Sequence, residues 1–168
     1  MSLVIVLSLW MSQEHARQLE PAIVQAAGIH NIDPLLIIAV IYRETRFKRY
    51  QCYRGAHGLM QIQLDNKSCS LKAKIKAQKL GLYDPNTNIA KGVALMAYWR
   101  QWWHRKGVRS YHWLLHYNQG YGLCPANLKR CTLKTRIPIT SGRIGLYAKR
   151  VLAMYHWLQR RFGHESAA

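Results

Sequence analysis

The run Leu35-Leu36-Ile37-Ile38-Ala39-Val40-Ile41-Tyr42 limits the possible folds more than any other part of this chain. A segment apolar on every side must be buried on every side, so the remaining chain has to wrap around it. Periodicity alone does not separate a buried helix from a buried strand here. The flanks favour a helix. Asp33 offers an N-cap oxygen, Pro34 suits the first helical position, and the chain runs on through Arg43-Glu44 without a turn former. The run is read as a central helix with Glu44 near its C-terminal end.

A length of 168 residues allows one domain with a real core and leaves little room for two. Further helices are expected around the central one. Pro21 would open one that stops at Gly28, and Asn88 would cap a longer one carrying Ile89, Val93, Met96, Trp99 or Arg100, and Trp103. Ser110 would cap a short helix from Tyr111 to Tyr117 that ends at Gly120. An apolar stripe of Ile144, Tyr147 or Ala148, Val151, Tyr155 and Leu158 marks a last helix over residues 143–161. Residues 46–87 and 119–141 read as loops. The expectation is an all-α fold with two long connections and no internal repeat, its domain over residues 13–163 and a polar tail over 164–168.

Residues 1–12 are apolar over the length of a signal-peptide core and too short to span a bilayer. No Lys or Arg precedes that core, and no small-x-small cleavage site follows it. Export and a packed N-terminal element are both readings of this segment.

Charge narrows the chemistry. Lys and Arg number 25 against seven Asp and Glu, a formal net charge of +18. Such a surface attracts polyanions, among them acidic wall polymers, anionic membranes and nucleic acid, and does not choose between them. Few carboxylates are available for catalysis. Glu165 lies in the tail and Glu14 and Glu20 read as surface, which leaves Asp33, Glu44, Asp65 and Asp84. Glu44 is either a solvated helix-end residue paired with Arg43 or Arg46, or a desolvated acid at the negative end of a helix dipole. Only the second form would be kept protonated near neutral pH, as general acid catalysis requires.

Four cysteines, Cys52, Cys69, Cys124 and Cys131, fit two disulfides in an oxidising compartment. Local pairing, Cys52 with Cys69 and Cys124 with Cys131, is the simplest arrangement, with free thiols as the alternative. No CxxC pair occurs, and no metal or other cofactor is implied.

Four motifs in order settle which reading of Glu44 to prefer. Asp33-Pro34-Leu35-Leu36 with Ala39 leads into Glu44-Thr45, and Gly55-Ala56-His57-Gly58-Leu59-Met60-Gln61-Ile62 follows a short loop. Asn88-Ile89 with Gly92 comes next, then His116-Tyr117-Asn118-Gln119-Gly120. Together these resemble the soluble lytic transglycosylase family over roughly residues 20–160. Thr45 stands where that family has Ser, and Cys52 and Tyr53 stand where it places a Ser near the acid.

The resemblance implies a lysozyme-like α-helical domain, exported to the periplasm or cell envelope, that acts on the glycan strands of peptidoglycan. It carries Glu44 over as the sole catalytic residue, and Met60, Gln61, Tyr117 and Asn118 as groups that bind substrate. The implied reaction cuts the bond from N-acetylmuramic acid to N-acetylglucosamine and leaves a 1,6-anhydro end. Asp65, four residues past Gln61, is a candidate second acid. With Glu44 it would support hydrolysis of the goose-type lysozyme kind instead. A non-catalytic wall-binding protein would use the same groove. A nucleic-acid-binding module is disfavoured, because the basic residues are spread along the chain without a recognised motif.

Overall fold

In the computed structural model the described residues are 2–64, 68–105, 107, 111, 113–119 and 142–163, with the side chains of 119 and 142–145 left aside. Seven helices occur among them: α1 (Leu3–Leu7), α2 (Gln13–His30), α3 (Pro34–Thr45), α4 (Leu71–Lys79), α5 (Pro85–Arg105), α6 (Trp113–Gln119) and α7 (Gly142–Phe162). Three two-residue strands, β1 (Cys52–Tyr53), β2 (Ala56–His57) and β3 (Ile62–Gln63), form a small antiparallel sheet in sequence order. The all-α expectation is met.

The central helix forms as the sequence predicts. Asp33 caps α3 by accepting from Leu35 N at 2.8 Å, and Pro34 occupies its first turn. Every residue from Leu35 to Ile41 is buried. Helix α7 packs along α3 and also meets α6; α2 packs on α1, α3 and α5; α5 meets α6. Of the positions expected on the helix containing Ile89, Ile89, Val93, Met96 and Trp99 line the core, Trp99 rather than Arg100 filling its turn, and Trp103 packs half-buried against it; Val151, Tyr155 and Leu158 of α7 line the core too.

Helix boundaries differ from expectation at α2, α5 and α6, the last running over Trp113–Gln119 rather than Tyr111 to Tyr117. Helix α2 begins at Gln13 behind the cap Ser12, so Pro21 sits inside it rather than in its first turn. An interior proline costs about 3 kcal/mol of helix propensity. Here Pro21 is exposed, and burial of Ala16, Leu19, Ala22, Ile23, Ala26 and Ala27 holds the helix together across it. Gly28 does not stop it. Asn31 does, in the left-handed region at φ 49°, and Arg100 of α5 donates to the carbonyls of His30 and Asn31. Helix α5 starts at Pro85, where Asp84 accepts from Thr87 N at 2.8 Å, which leaves Asn88 for another role.

Helix α4 falls in a stretch expected to be loop. Its Leu-Lys-Ala-Lys-Ile alternation hides a helical period, yet Ser70 caps it and only its alanines face inward. A second small core of Leu64, Ala77 and Leu82 lies beneath it. Cys52 and Cys69 are joined by a disulfide, the pairing expected from their separation. Closing a loop of that size stabilises the fold by about 3 kcal/mol in the chain-entropy account. Cys124, Cys131, Ser110 and Gly120 lie outside the described residues, as do most of residues 119–141 and the tail.

In this structure the N-terminal apolar segment packs on α2. Leu3, Val6 and Leu7 are buried, and the Glu20 carboxylate accepts from Ser2 Oγ, Leu3 N and Val4 N. Glu20 is therefore a cap for α1, not the free surface acid that composition suggests.

Candidate active site

Glu44 lies on the last turn of α3, where that helix runs out from beneath α7. One residue on, Thr45 is buried and its hydroxyl donates to Leu59 O at 2.9 Å and to Ile41 O at 3.3 Å. The first bond ties the end of α3 to the Gly58–Gln61 turn. The Thr45 methyl and hydroxyl thus fill a structural place that the Glu-Thr pair alone does not disclose.

The turn itself is held from below by Asn88, which is fully enclosed. Its Oδ1 accepts from Met60 N at 2.7 Å, while its Nδ2 donates to His57 O at 3.0 Å and Leu82 O at 2.8 Å. Three buried backbone groups that would otherwise lack partners are satisfied by one amide. Gly58 must be glycine: its φ is +77°, and a Cβ would lie 2.0 Å from Leu82 O and 2.2 Å from the Asn88 amide. Tyr117 of α6 grips the same turn from the other side, donating its hydroxyl to Met60 O at 2.7 Å.

Met60 therefore sits in the core rather than on a groove wall. Its side chain is 0% exposed and packs into the space left by Gly92, where a Cβ would come within 2.5 Å of its sulfur. This corrects the expectation that Met60 presents a surface to substrate. Gln61 is half-buried, with Nε2 donating to Gly58 O at 2.9 Å and Gln51 O at 3.3 Å. Asn118 is exposed, one residue beyond the buried Tyr117. Asp65, the candidate second acid, lies outside the described residues.

Behind the sheet, His57 is wholly buried. Its Nδ1 shares a hydrogen bond with the Tyr83 hydroxyl at 2.7 Å, and its Nε2 lies 3.6 Å from Cys52 Sγ. Burial first, and the Lys74 charge second, push its pKa down, which favours the neutral imidazole. Among the described residues no three His, Cys, Asp or Glu side chains cluster as a metal site. The one His-x-x-x-His spacing, His112 to His116, does not change this. The His116 ring is buried and stacked on Trp99 with centroids 4.6 Å apart, and His112 is not among the described residues.

Glu44 meets a partner that sequence reading missed. The Tyr147 hydroxyl of α7 donates to Glu44 Oε1 at 2.5 Å, across 103 positions of sequence. Tyr147 was expected only as part of an apolar stripe, and it is indeed buried; its hydroxyl points at the acid. The carboxyl pKa is raised from 4.5 to about 7. Desolvation is the largest cause, and it outweighs the Tyr147 hydrogen bond and the Arg43 charge, both of which favour the ionised form. The influence is mutual: burial and then the Glu44 charge hold the hydroxyls of both Tyr117 and Tyr147 well above the ordinary tyrosine range.

A carboxyl with this pKa, at the mouth of a turn fixed by Asn88, Thr45 and Tyr117, is arranged to give and take a proton near neutrality. The family model described as the transglycosylase SLT domain matches residues 21–132. The chain belongs to the transglycosylase SLT domain family. The matched span of this SLT domain holds Glu44, the turn, Asn88 and Tyr117, whereas Tyr147 lies beyond it. The membrane-bound lytic murein transglycosylase F of Desulfosudis oleivorans is 34% identical over 112 residues. The match covers 61% of this chain and 22% of that protein, so the SLT domain corresponds to about a fifth of its relative's length.

Proposed function

We propose that this SLT domain is a lytic transglycosylase that cuts peptidoglycan glycan strands with Glu44 as its single acid and base. The observation that carries the reading is the Glu44 carboxyl, raised to about 7 by burial and held at Oε1 by Tyr147. With such a pKa the protonated and ionised forms are both well populated at neutral pH, so one group can serve both halves of a reaction.

In the first half, protonated Glu44 gives its proton to the oxygen linking N-acetylmuramic acid to N-acetylglucosamine, and the C1–O bond breaks. Tyr147 occupies Oε1, so the proton is delivered from Oε2. The acetamido oxygen of the muramic sugar stabilises the developing positive charge at C1, a substrate-assisted route that needs no second carboxylate. In the second half, ionised Glu44 takes the proton of the 6-hydroxyl as that oxygen bonds to C1. The product ends in a 1,6-anhydro sugar, and Glu44 is protonated again. Gln61 and Asn118 are the polar side chains we assign to substrate amide and hydroxyl groups. Tyr117 and Met60 shape the turn from within. A substrate of this kind places the protein in the cell envelope.

Mass spectrometry of fragments released from purified peptidoglycan tests the reading. Anhydro ends, lighter by one water than reducing ends, are expected from the native protein, and Glu44→Gln should release none. Reducing ends would instead assign a hydrolytic pair of Glu44 and Asp65, and an inert native protein would leave a wall-binding role.

A further inference from the structure

Positive charge runs through most of the chain, and residues 85–164 alone carry 14 Lys and Arg with no Asp or Glu, so exposed apolar groups beside the cations, not charge alone, single out one lobe. From Arg46 to Tyr83 the described residues include eight Lys and Arg and no Asp or Glu, and all eight cations are exposed. The same lobe carries unusually exposed apolar groups. Tyr50 is 70% exposed and Tyr53 61%, while Leu71 is 75% and Ile75 47% exposed.

Helix α4 explains how Leu71 and Ile75 come to face outward together. At about 100° per residue, Leu71 and Ile75 sit on one crest, roughly 160° round the helix from the buried pair Ala73 and Ala77. Lys74 flanks that crest on one side, and Lys72 and Lys79 flank it on the other. The Cys52–Cys69 disulfide joins the tyrosine loop to the base of α4, with a Cα separation of 5.9 Å. That link keeps the backbone of Tyr53 within about 17 Å of Leu71. Arg49 and Arg54 lie over the rings of Tyr50 and Tyr53, 5.3 and 5.4 Å from their centroids, so each ring is presented beside a cation.

We infer that this lobe, the outer face of α4 with the Tyr50–Tyr53 loop, docks on an anionic lipid bilayer surface. Lysines alone would suit any polyanion, and the aliphatic crest decides between partners. A sugar-phosphate or nucleic-acid chain offers Leu71 and Ile75 no apolar phase. A bilayer takes aliphatic side chains into its acyl boundary, places tyrosines at the headgroups, and attracts the flanking lysines with anionic lipid. The contact is superficial: no helix of the described residues is long and apolar enough to cross a membrane. The inference does not depend on the proposed cleavage reaction.

Vesicle co-sedimentation of the full chain tests it, with phosphatidylcholine alone and with added phosphatidylglycerol. Binding should require the anionic lipid and weaken with salt. Replacing Lys72, Lys74 and Lys79 by Gln should lower partition about a hundredfold at low salt. Leu71→Ser with Ile75→Ser, which leaves the charge intact, should lower it about tenfold. The serine pair should leave binding to soluble poly(glycerol phosphate) unchanged, and neither variant should alter cleavage of soluble glycan fragments. The inference is overturned if native protein binds neutral and anionic vesicles alike or binds neither. It is equally overturned if the serine pair binds anionic vesicles as tightly as native protein, since the lobe would then read charge alone.

Discussion

Helix α3 carries a carboxyl at each end, and α7 sends a tyrosine to both. Tyr155 donates to Asp33 Oδ2 at 2.7 Å, and Tyr147 donates to Glu44 Oε1 at 2.5 Å. The two pairs look alike and sit in opposite fields. Asp33 is at the positive end of the helix dipole and also accepts from Leu35 N, so a negative charge there is welcome. Glu44 is at the negative end, where free carbonyls gather, and burial takes away the water that would offset them. A carboxylate is used as a cap at one end and kept poised for proton transfer at the other. Burial at the C-terminal end of the helix, not the identity of the partner, separates structure from chemistry.

Exchanging each carboxyl for its amide should separate the pairs most sharply. Glu44→Gln should lower peptidoglycan cleavage by about a thousandfold or more, because the proton donor is lost. Asp33→Asn should leave cleavage per folded molecule unchanged and cost about 1 kcal/mol of stability through a weaker cap. Activity assays run beside denaturant melts would distinguish these results.

Stability against pH gives the next largest effect. The folded-state pKa of Glu44 lies above its unfolded value of 4.5, so the stability it contributes is full below pH 4.5 and is lost as pH rises through about 7. A gap of that size corresponds to about 3 kcal/mol. Melts across this range should show Glu44→Gln gaining on the native protein by about that amount between pH 4.5 and 8.

The tyrosines come last in size. Tyr147→Phe removes a bond that favours ionised Glu44, so the carboxyl pKa should rise further. The decline in activity above neutral pH should move to higher pH, with kcat about tenfold lower. Tyr155→Phe should cost about 1 kcal/mol and leave the pH profile in place. If both variants moved the profile equally, the two ends of α3 would hold their carboxyls alike.

The same contrast explains what could be read in advance. The strong local signals, Asp33-Pro34 followed by an unbroken apolar run, placed α3 and Glu44 correctly. Four spaced motifs identified the turn and the family. What was missed depended on contacts distant in sequence. Tyr147 follows an apolar stripe, and nothing near it tells that its hydroxyl meets a residue 103 positions earlier. Asn88 has the form of a helix cap, and only the folded turn reveals that it satisfies Met60, His57 and Leu82. Met60 stands in a motif that resembles a groove wall, but the gap above Gly92 draws it inward. Pro21 and α4 failed for the opposite reason: a local rule pointed one way and tertiary burial another.

The most direct test is an NMR titration of the Glu44 side-chain carboxyl carbon in the folded protein, from pH 3 to 9. A midpoint near 7 is the predicted result. A midpoint near 4.5, where an ordinary solvated glutamate titrates, would contradict the claim that burial holds this acid ready to donate.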